Sequence, residues 1–118
     1  MKLVKASKQL EESYLDFADE LTGEDARWMS FIRQHGTDQF FARLEHHASG
    51  ENLPEGIVQQ TVFWLVDEAD QIHGELRLRH RLNDALLQEG GHIGYVIRTS
   101  SRRKGYGRLI LRLGLEKA

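Results

Sequence analysis

Residues 92–108 read His92-Ile93-Gly94-Tyr95-Val96-Ile97-Arg98-Thr99-Ser100-Ser101-Arg102-Arg103-Lys104-Gly105-Tyr106-Gly107-Arg108. The first half places apolar residues at every second position, which predicts a β-strand. The second half is rich in glycine and basic residues. It leads into a segment whose apolar residues form one helical stripe, namely Tyr106, Leu109, Ile110 and Leu113. We therefore expect a strand, a basic glycine loop and a helix in that order.

This loop has the physical properties of a phosphate-binding site. A glycine loop at a helix start gathers free backbone N–H groups and the positive helix end, and Arg102, Arg103 and Lys104 add cationic side chains. Two better-known glycine motifs do not fit. A P-loop needs Gly-Lys-Ser/Thr after four residues, and a dinucleotide loop needs a third glycine where this chain has Ile110.

The pattern Arg-x-x-Gly-x-Gly directly after a strand resembles the cofactor loop of the GNAT superfamily of N-acetyltransferases. The resemblance implies acetyl-CoA as cofactor. It implies that the strand binds the pantetheine arm through main-chain groups of Tyr95, Val96 and Ile97. It also implies that the loop holds the pyrophosphate with Arg102, Arg103, Lys104, Gly105, Tyr106, Gly107 and Arg108. We expect Gly105 and Gly107 to be required because a Cβ would obstruct close approach or the backbone angles.

The implied reaction needs an amine base, a polarised carbonyl and an acid for the thiolate. Glu75 and His92 are the candidate catalytic bases, although both also suit surface positions. A backbone N–H near Val96 or Ile97 would polarise the carbonyl if the fourth strand bulges, as it does in the family. The histidine positions argue against a metal site, because adjacent histidines on a helix diverge and no acidic partner stands at ligand spacing.

Length and composition indicate one domain with an ordinary globular balance, because the chain has 118 residues, 40% of them apolar and 29% charged. The absence of cysteine excludes a covalent thioester on the enzyme, so acyl transfer would run directly from cofactor to acceptor. Without an apolar stretch of roughly 20 residues or a signal-peptide pattern, we expect no membrane association and a cytoplasmic location.

Charge is distributed unevenly along the chain. Residues 98–118 hold seven Lys or Arg and one Glu, whereas the first 97 residues hold 9 basic and 17 acidic groups. A cationic patch on an acidic body suits a small polyanion such as coenzyme A better than a nucleic acid. A solvated basic helix face is the alternative explanation.

The rest of the chain predicts further helices and strands. We expect a strand over 2–6, a helix capped by Ser7 and closed by Gly23, a short helix over 24–33, and a helix from Thr37 or Asp38 to Ser49. A buried strand over 61–66 and a turn over 67–71 follow, and then a strand over 72–79. Period-two alternation places Ile72, Gly74, Leu76 and Leu78 on one face and His73, Glu75, Arg77 and Arg79 on a polar face. A short helix is predicted over 84–88.

The predicted fold class is α/β (α+β), a GNAT-like, mostly antiparallel sheet flanked by helices and truncated after the central cofactor-binding helix. Residues 1–118 would form a single, incomplete GNAT-like acetyltransferase domain. Uncovered apolar surface then leads us to expect a homo-oligomer.

Three functions remain open from the sequence. The first is an acetyl-CoA-dependent N-acetyltransferase acting on an amine-bearing small molecule or peptide. The second is a non-catalytic CoA-binding or interaction module. The third, a small nucleic-acid or nucleotide-binding protein, is disfavoured by the charge distribution.

Overall fold

A computed structural model describes residues 1–54, 58–80 and 93–117. Its centre is a four-stranded sheet in the order β1-β2-β3-β4, with every neighbouring pair antiparallel. The strands are β1 (Lys2–Lys5), β2 (Gln60–Val66), β3 (Ile72–Arg79) and β4 (Ile93–Ile97). The predicted mixed α+β class with an antiparallel sheet is confirmed.

Within the described residues, four α-helices flank the sheet: α1 (Glu11–Glu20), α2 (Ser30–His35), α3 (Thr37–Ser49) and α4 (Tyr106–Lys117). Short 3-10 segments precede α1, α2 and the final loop, over Lys8–Leu10, Gly23–Met29 and Thr99–Ser101. Ser7 caps the first of them, accepting a hydrogen bond from the Gln9 N–H at 3.3 Å. Gly50 ends α3 in the left-handed conformation at φ 71°. Helix α1 stops at Glu20, three residues before the predicted end.

Two apolar cores lie on opposite faces of the sheet. Helices α1–α3 cover one face, where Trp64 of β2 stacks on Tyr14 of α1 with ring centroids 4.5 Å apart. Helix α4 covers the other face, where Ile110 packs with Leu65 and Leu76. The stripe predicted for α4 is confirmed, since all four of its apolar residues belong to this second core.

The prediction that β3 has one polar face is wrong. The pairing of β2 with β3 is shifted between Leu65 and Val66, so that Ile72 packs with the α1–α3 core while Leu76 packs with α4. Glu75, predicted to point to a polar surface, is completely buried beneath α1–α3. Alternation alone cannot distinguish a solvated face from one that helices cover.

The turn between β2 and β3 lies where it was predicted. The Asp67 carboxylate accepts hydrogen bonds from the N–H groups of Ala69 and Gln71, at 2.9 and 3.0 Å. These side-chain bonds add to two backbone bonds of the turn, from the Asp67 N–H to the Gln71 carbonyl and from the Asp70 N–H to the Asp67 carbonyl, both at 3.1 Å.

Some predictions lie outside the described residues. They are the helix over 84–88, the candidate base His92 and the end of the loop around Pro54. No helix within 1–54, 58–80 and 93–117 has the length and apolar character needed to span a membrane.

Candidate functional site

A depression of about 380 Å³ lies between β4 and the loop that precedes α4. Eight of the ten residues predicted to bind the cofactor line it; Lys104 and Arg108 do not. Tyr95, Val96 and Ile97 form its strand side, and Arg102, Arg103 and the segment 105–107 form its loop side. The strand residues 95–97 and the loop residues 102–107, which the resemblance assigned to one cofactor site, therefore line one depression.

The loop leaves a run of main-chain N–H groups without partners. Gly105 accepts the first helical hydrogen bond from the Leu109 N–H at 3.2 Å. Apart from Lys104, whose N–H closes a turn, no main-chain N–H from Arg103 to Arg108 meets an acceptor among the described residues. Arg103 and Gly105 have φ values of 65° and 80°, and left-handed residues of this kind are a feature of the backbone turns that bind anions. Such a turn at the start of a twelve-residue helix favours a bound anion.

The two glycines differ in why the loop needs them. Gly105 has a positive φ, so a side chain there would be strained although it would meet nothing within 4 Å. Gly107 has no positive φ, and a Cβ there would lie 3.6 Å from the Tyr95 ring, an ordinary contact. A side chain at Gly107 would obstruct only a ligand in the depression.

The cations of the loop are not equivalent. The Arg102 guanidinium donates to the Ile97 carbonyl at 3.2 and 3.1 Å and pairs with Asp25, whose carboxylate also lines the depression. Arg103, Lys104 and Arg108 are exposed and have no ion-pair partner in the described part of the chain. A bound anion would therefore meet amides and exposed cations first, and it would compete with Asp25 for Arg102.

No strand of the described part of the chain pairs with the outer edge of β4, and this edge lines the same depression. The Arg98 N–H donates to the His73 carbonyl of β3 at 2.7 Å, so period two directs the Val96 N–H toward β3 as well. The N–H groups of Tyr95 and Ile97 then point outward. The β3–β4 register runs without a shift, so the bulge expected in the fourth strand is absent from this pairing. Val96 is thereby excluded as the carbonyl-polarising amide, and Ile97 remains.

Arg98 anchors the end of β4 to helix α1. Its buried side chain donates to the Ile72 carbonyl at 2.7 Å and to the carboxylates of Asp16 and Glu20. Burial alone would raise the pKa of Glu20, but hydrogen bonds from Ser100 and Arg98 outweigh it and lower that pKa. The loop is thus held at its start by a charged contact with a helix on the other side of the sheet.

A second polar chain beneath the loop was missed by sequence reasoning. His73 lies between two partners, with Nδ1 2.6 Å from the Ser101 Oγ and Nε2 2.8 Å from the Asp67 carboxylate. The hydrogen bond with His73 is the main cause of the lowered pKa of Asp67. Ser101 is buried, so this chain ties the β2–β3 turn to the loop. Only a contact across 28 positions joins His73 to Ser101, and no local pattern signals it.

Glu75 lies on the other face of the sheet with four hydrogen-bond donors around its carboxylate. Oε1 accepts from the Tyr14 hydroxyl at 2.8 Å and the Trp64 Nε1 at 3.0 Å, and Oε2 accepts from Trp28 and from Arg77. Desolvation, reinforced by Glu75, raises the pKa of Tyr14 well above its ordinary value, so its hydroxyl stays a donor. A carboxylate with both oxygens so occupied is poorly placed to accept a proton from a substrate.

Comparisons of the chain with protein-family models, with curated proteins and with solved structures found no match.

Proposed function

We propose that this protein is an acetyl-CoA-dependent N-acetyltransferase that transfers the acetyl group directly to an amine. One observation carries the proposal: a run of unpartnered main-chain N–H groups at the start of α4 adjoins the outward-facing edge of β4 in a single depression. Coenzyme A has both a diphosphate and an extended amide-bearing arm, and the two halves of the depression suit these two chemical groups.

Each part of the site has a distinct role in this proposal. The amides from Arg103 to Arg108 bind the diphosphate, with Arg103, Lys104 and Arg108 supplying positive charge. The outward N–H and C=O groups of Tyr95 pair with the pantetheine amides. When bound, the cofactor supplies an activated acetyl thioester, and the Ile97 N–H lies on the side where that carbonyl would be polarised.

The proposed reaction also needs a base for the amine. Glu75 would have to lose one of its four donors before it took up a proton. We therefore retain Glu75 and His92 as the proposed bases and expect Glu75 to act chiefly by holding the site together. The cytoplasmic location expected from the sequence stays a prediction.

The four hydrogen bonds that occupy the Glu75 carboxylate favour a second function. If the fully bonded carboxylate only stabilises the fold, the chain binds CoA without turnover, as the alternative of a non-catalytic CoA-binding module requires. The loop geometry is the same in both functions, so cofactor binding alone does not distinguish them.

The test is release of free thiol from acetyl-CoA across a panel of small amines and peptides. We expect release that depends on the amine, and at least a tenfold loss of it in Gly107→Asp. An aspartate in the first helical turn favours the helix but places negative charge where the diphosphate would bind. Arg112→Gln, a change at an exposed position on α4, is the matched control. Thiol release that no amine increases would refute catalysis, and binding of CoA without release would establish the alternative.

A further inference from the structure

A second cavity, of about 170 Å³, lies on the opposite face of the sheet from α4. Its walls come from the segment before α2, from α2 and α3, and from β2 and β3. It reaches Glu75 and Arg77 of β3, which pair across the sheet with Val96 and Gly94 of β4. Adjacent strands are about 4.8 Å apart, so this cavity approaches the β4 edge from the other side.

Positive charge dominates the lining of this cavity. Among the residues that the structure describes, Arg27, Arg43 and Arg77 line it against a single carboxylate, that of Glu75. Arg77 donates to Glu75 at 3.2 Å, which balances these two charges. Arg27 and Arg43 have no carboxylate partner among the described residues. Two guanidinium groups therefore remain to attract an anion.

The same cavity has apolar and aromatic walls. Phe31, Phe40 and Val62 line it, and the Arg43 guanidinium lies 4.2 Å from the centre of the Phe31 ring. Stacking on that ring orients the guanidinium while leaving its N–H groups free for a ligand. Typical ligand cavities measure about 300–1,000 Å³, so only a small molecule would fit.

We propose that this cavity binds a small carboxylate with an apolar body, its carboxylate at Arg27 and Arg43 and its body between Phe31, Phe40 and Val62. Arginine matches a carboxylate through two parallel hydrogen bonds, and the aromatic walls exclude water from the remainder of the ligand. The acceptor amine is then an amino-acid-like molecule, a step that rests on the proposed acetyltransferase function. Binding of the carboxylate does not rest on it.

Binding is tested without cofactor, by ligand-observed NMR with three probes of similar size. They are 3-phenylpropionate, 3-phenylpropanol and phenethylamine, which differ in charge. We expect 3-phenylpropionate to bind at least tenfold more tightly than the other two. Arg43→Gln and Arg27→Gln should each reduce that preference several-fold, and both positions are exposed, so the fold should be retained.

Arg112→Gln, on the opposite face of the sheet, is the matched control and should leave the preference unchanged. Equal binding of the three probes, no binding of 3-phenylpropionate, or an equal loss in Arg112→Gln would overturn the proposal.

Turnover separates this inference from the proposed function. Phenylalanine and phenethylamine are compared as acceptors, and we expect phenylalanine to have the higher kcat/KM. Carboxylate binding without turnover of either amine would refute the acceptor class and leave the carboxylate site standing, whereas thiol release that no amine of the panel increases would refute the acetyltransferase function. Faster turnover of phenethylamine would refute the acceptor class alone.

Discussion

Replacing Glu75 with glutamine tests whether this buried carboxylate chiefly stabilises the fold. Glutamine keeps the shape of the side chain but offers one carbonyl oxygen in place of two acceptors. If that oxygen keeps the bonds from Tyr14 and Trp64, the amide N–H groups face the donors of Trp28 and Arg77. Two partly buried donors then lose their acceptor, and one of them belongs to a charged guanidinium.

The expected loss of stability follows from those two donors. An orphaned buried donor costs about 1–3 kcal/mol, and breaking a buried charged pair costs about 3–5 kcal/mol. Arg77 is only partly buried, with 26% of its side chain exposed, so water relieves part of its cost. We expect Glu75→Gln to lower the free energy of unfolding by about 3–4 kcal/mol, out of the roughly 5–15 kcal/mol typical of a domain.

Urea unfolding measures this change as a lower midpoint with an unchanged slope. Trp28→Phe removes a single donor from Glu75 and should cost less, about 1–2 kcal/mol, which keeps the test informative if Glu75→Gln does not fold. Glu116→Gln, on the exposed end of α4, is the control and should change stability by less than about 0.5 kcal/mol. A midpoint for Glu75→Gln equal to that of the control would refute the reasoning.

Three further predictions concern the support of the site. Arg98→Met should lower the free energy of unfolding by about 2 kcal/mol, because the Ile72 carbonyl and two carboxylates lose the hydrogen bonds that Arg98 donates. Thermal and urea unfolding measure this change, and an unchanged stability would contradict it. The lowered pKa values of Glu20 and Asp67 mean that both carboxylates stabilise the fold above about pH 4 and that this contribution disappears as pH falls through their folded pKa values. Urea midpoints between pH 7 and pH 2.5 should therefore fall less steeply in Glu20→Gln than in the unaltered protein, and parallel curves would count against the assignment. The outward edge of β4 and the exposed Leu111 and Leu115 predict self-association at micromolar concentration, which light scattering would contradict by finding a monomer.

Local patterns predicted most of the elements correctly. The helix from Thr37 to Ser49 begins and ends where turn and capping residues placed it, with Gly50 in the left-handed conformation that glycine favours. The strand over 61–66 and the turn over 67–71 were equally clear, because β-branched and aromatic residues are followed by a polar turn. These patterns depend on neighbouring residues alone, so tertiary contacts did not change the secondary structure that they predict.

Long-range contacts account for what the sequence did not predict. Glu75 lies in an alternating strand, and its burial depends on Arg77 and on the distant donors Tyr14, Trp28 and Trp64, up to 61 positions away. Ile72 lies on the α1–α3 face and not on the predicted face with Leu76, because of a register shift that no residue type predicts. The contact that Ser101 makes likewise depends on His73 of β3, 28 positions away. Tertiary contacts, and not the polarity of the residue itself, determine which side chains are buried at these positions.

Calorimetric titration of the protein with coenzyme A and with pantetheine tests the central claim most directly, because pantetheine lacks the diphosphate. We predict that coenzyme A binds at least tenfold more tightly than pantetheine and that Gly107→Asp removes this advantage while the fold is retained. Equal affinities for the two ligands, or the absence of coenzyme A binding, would contradict a diphosphate site at the start of α4.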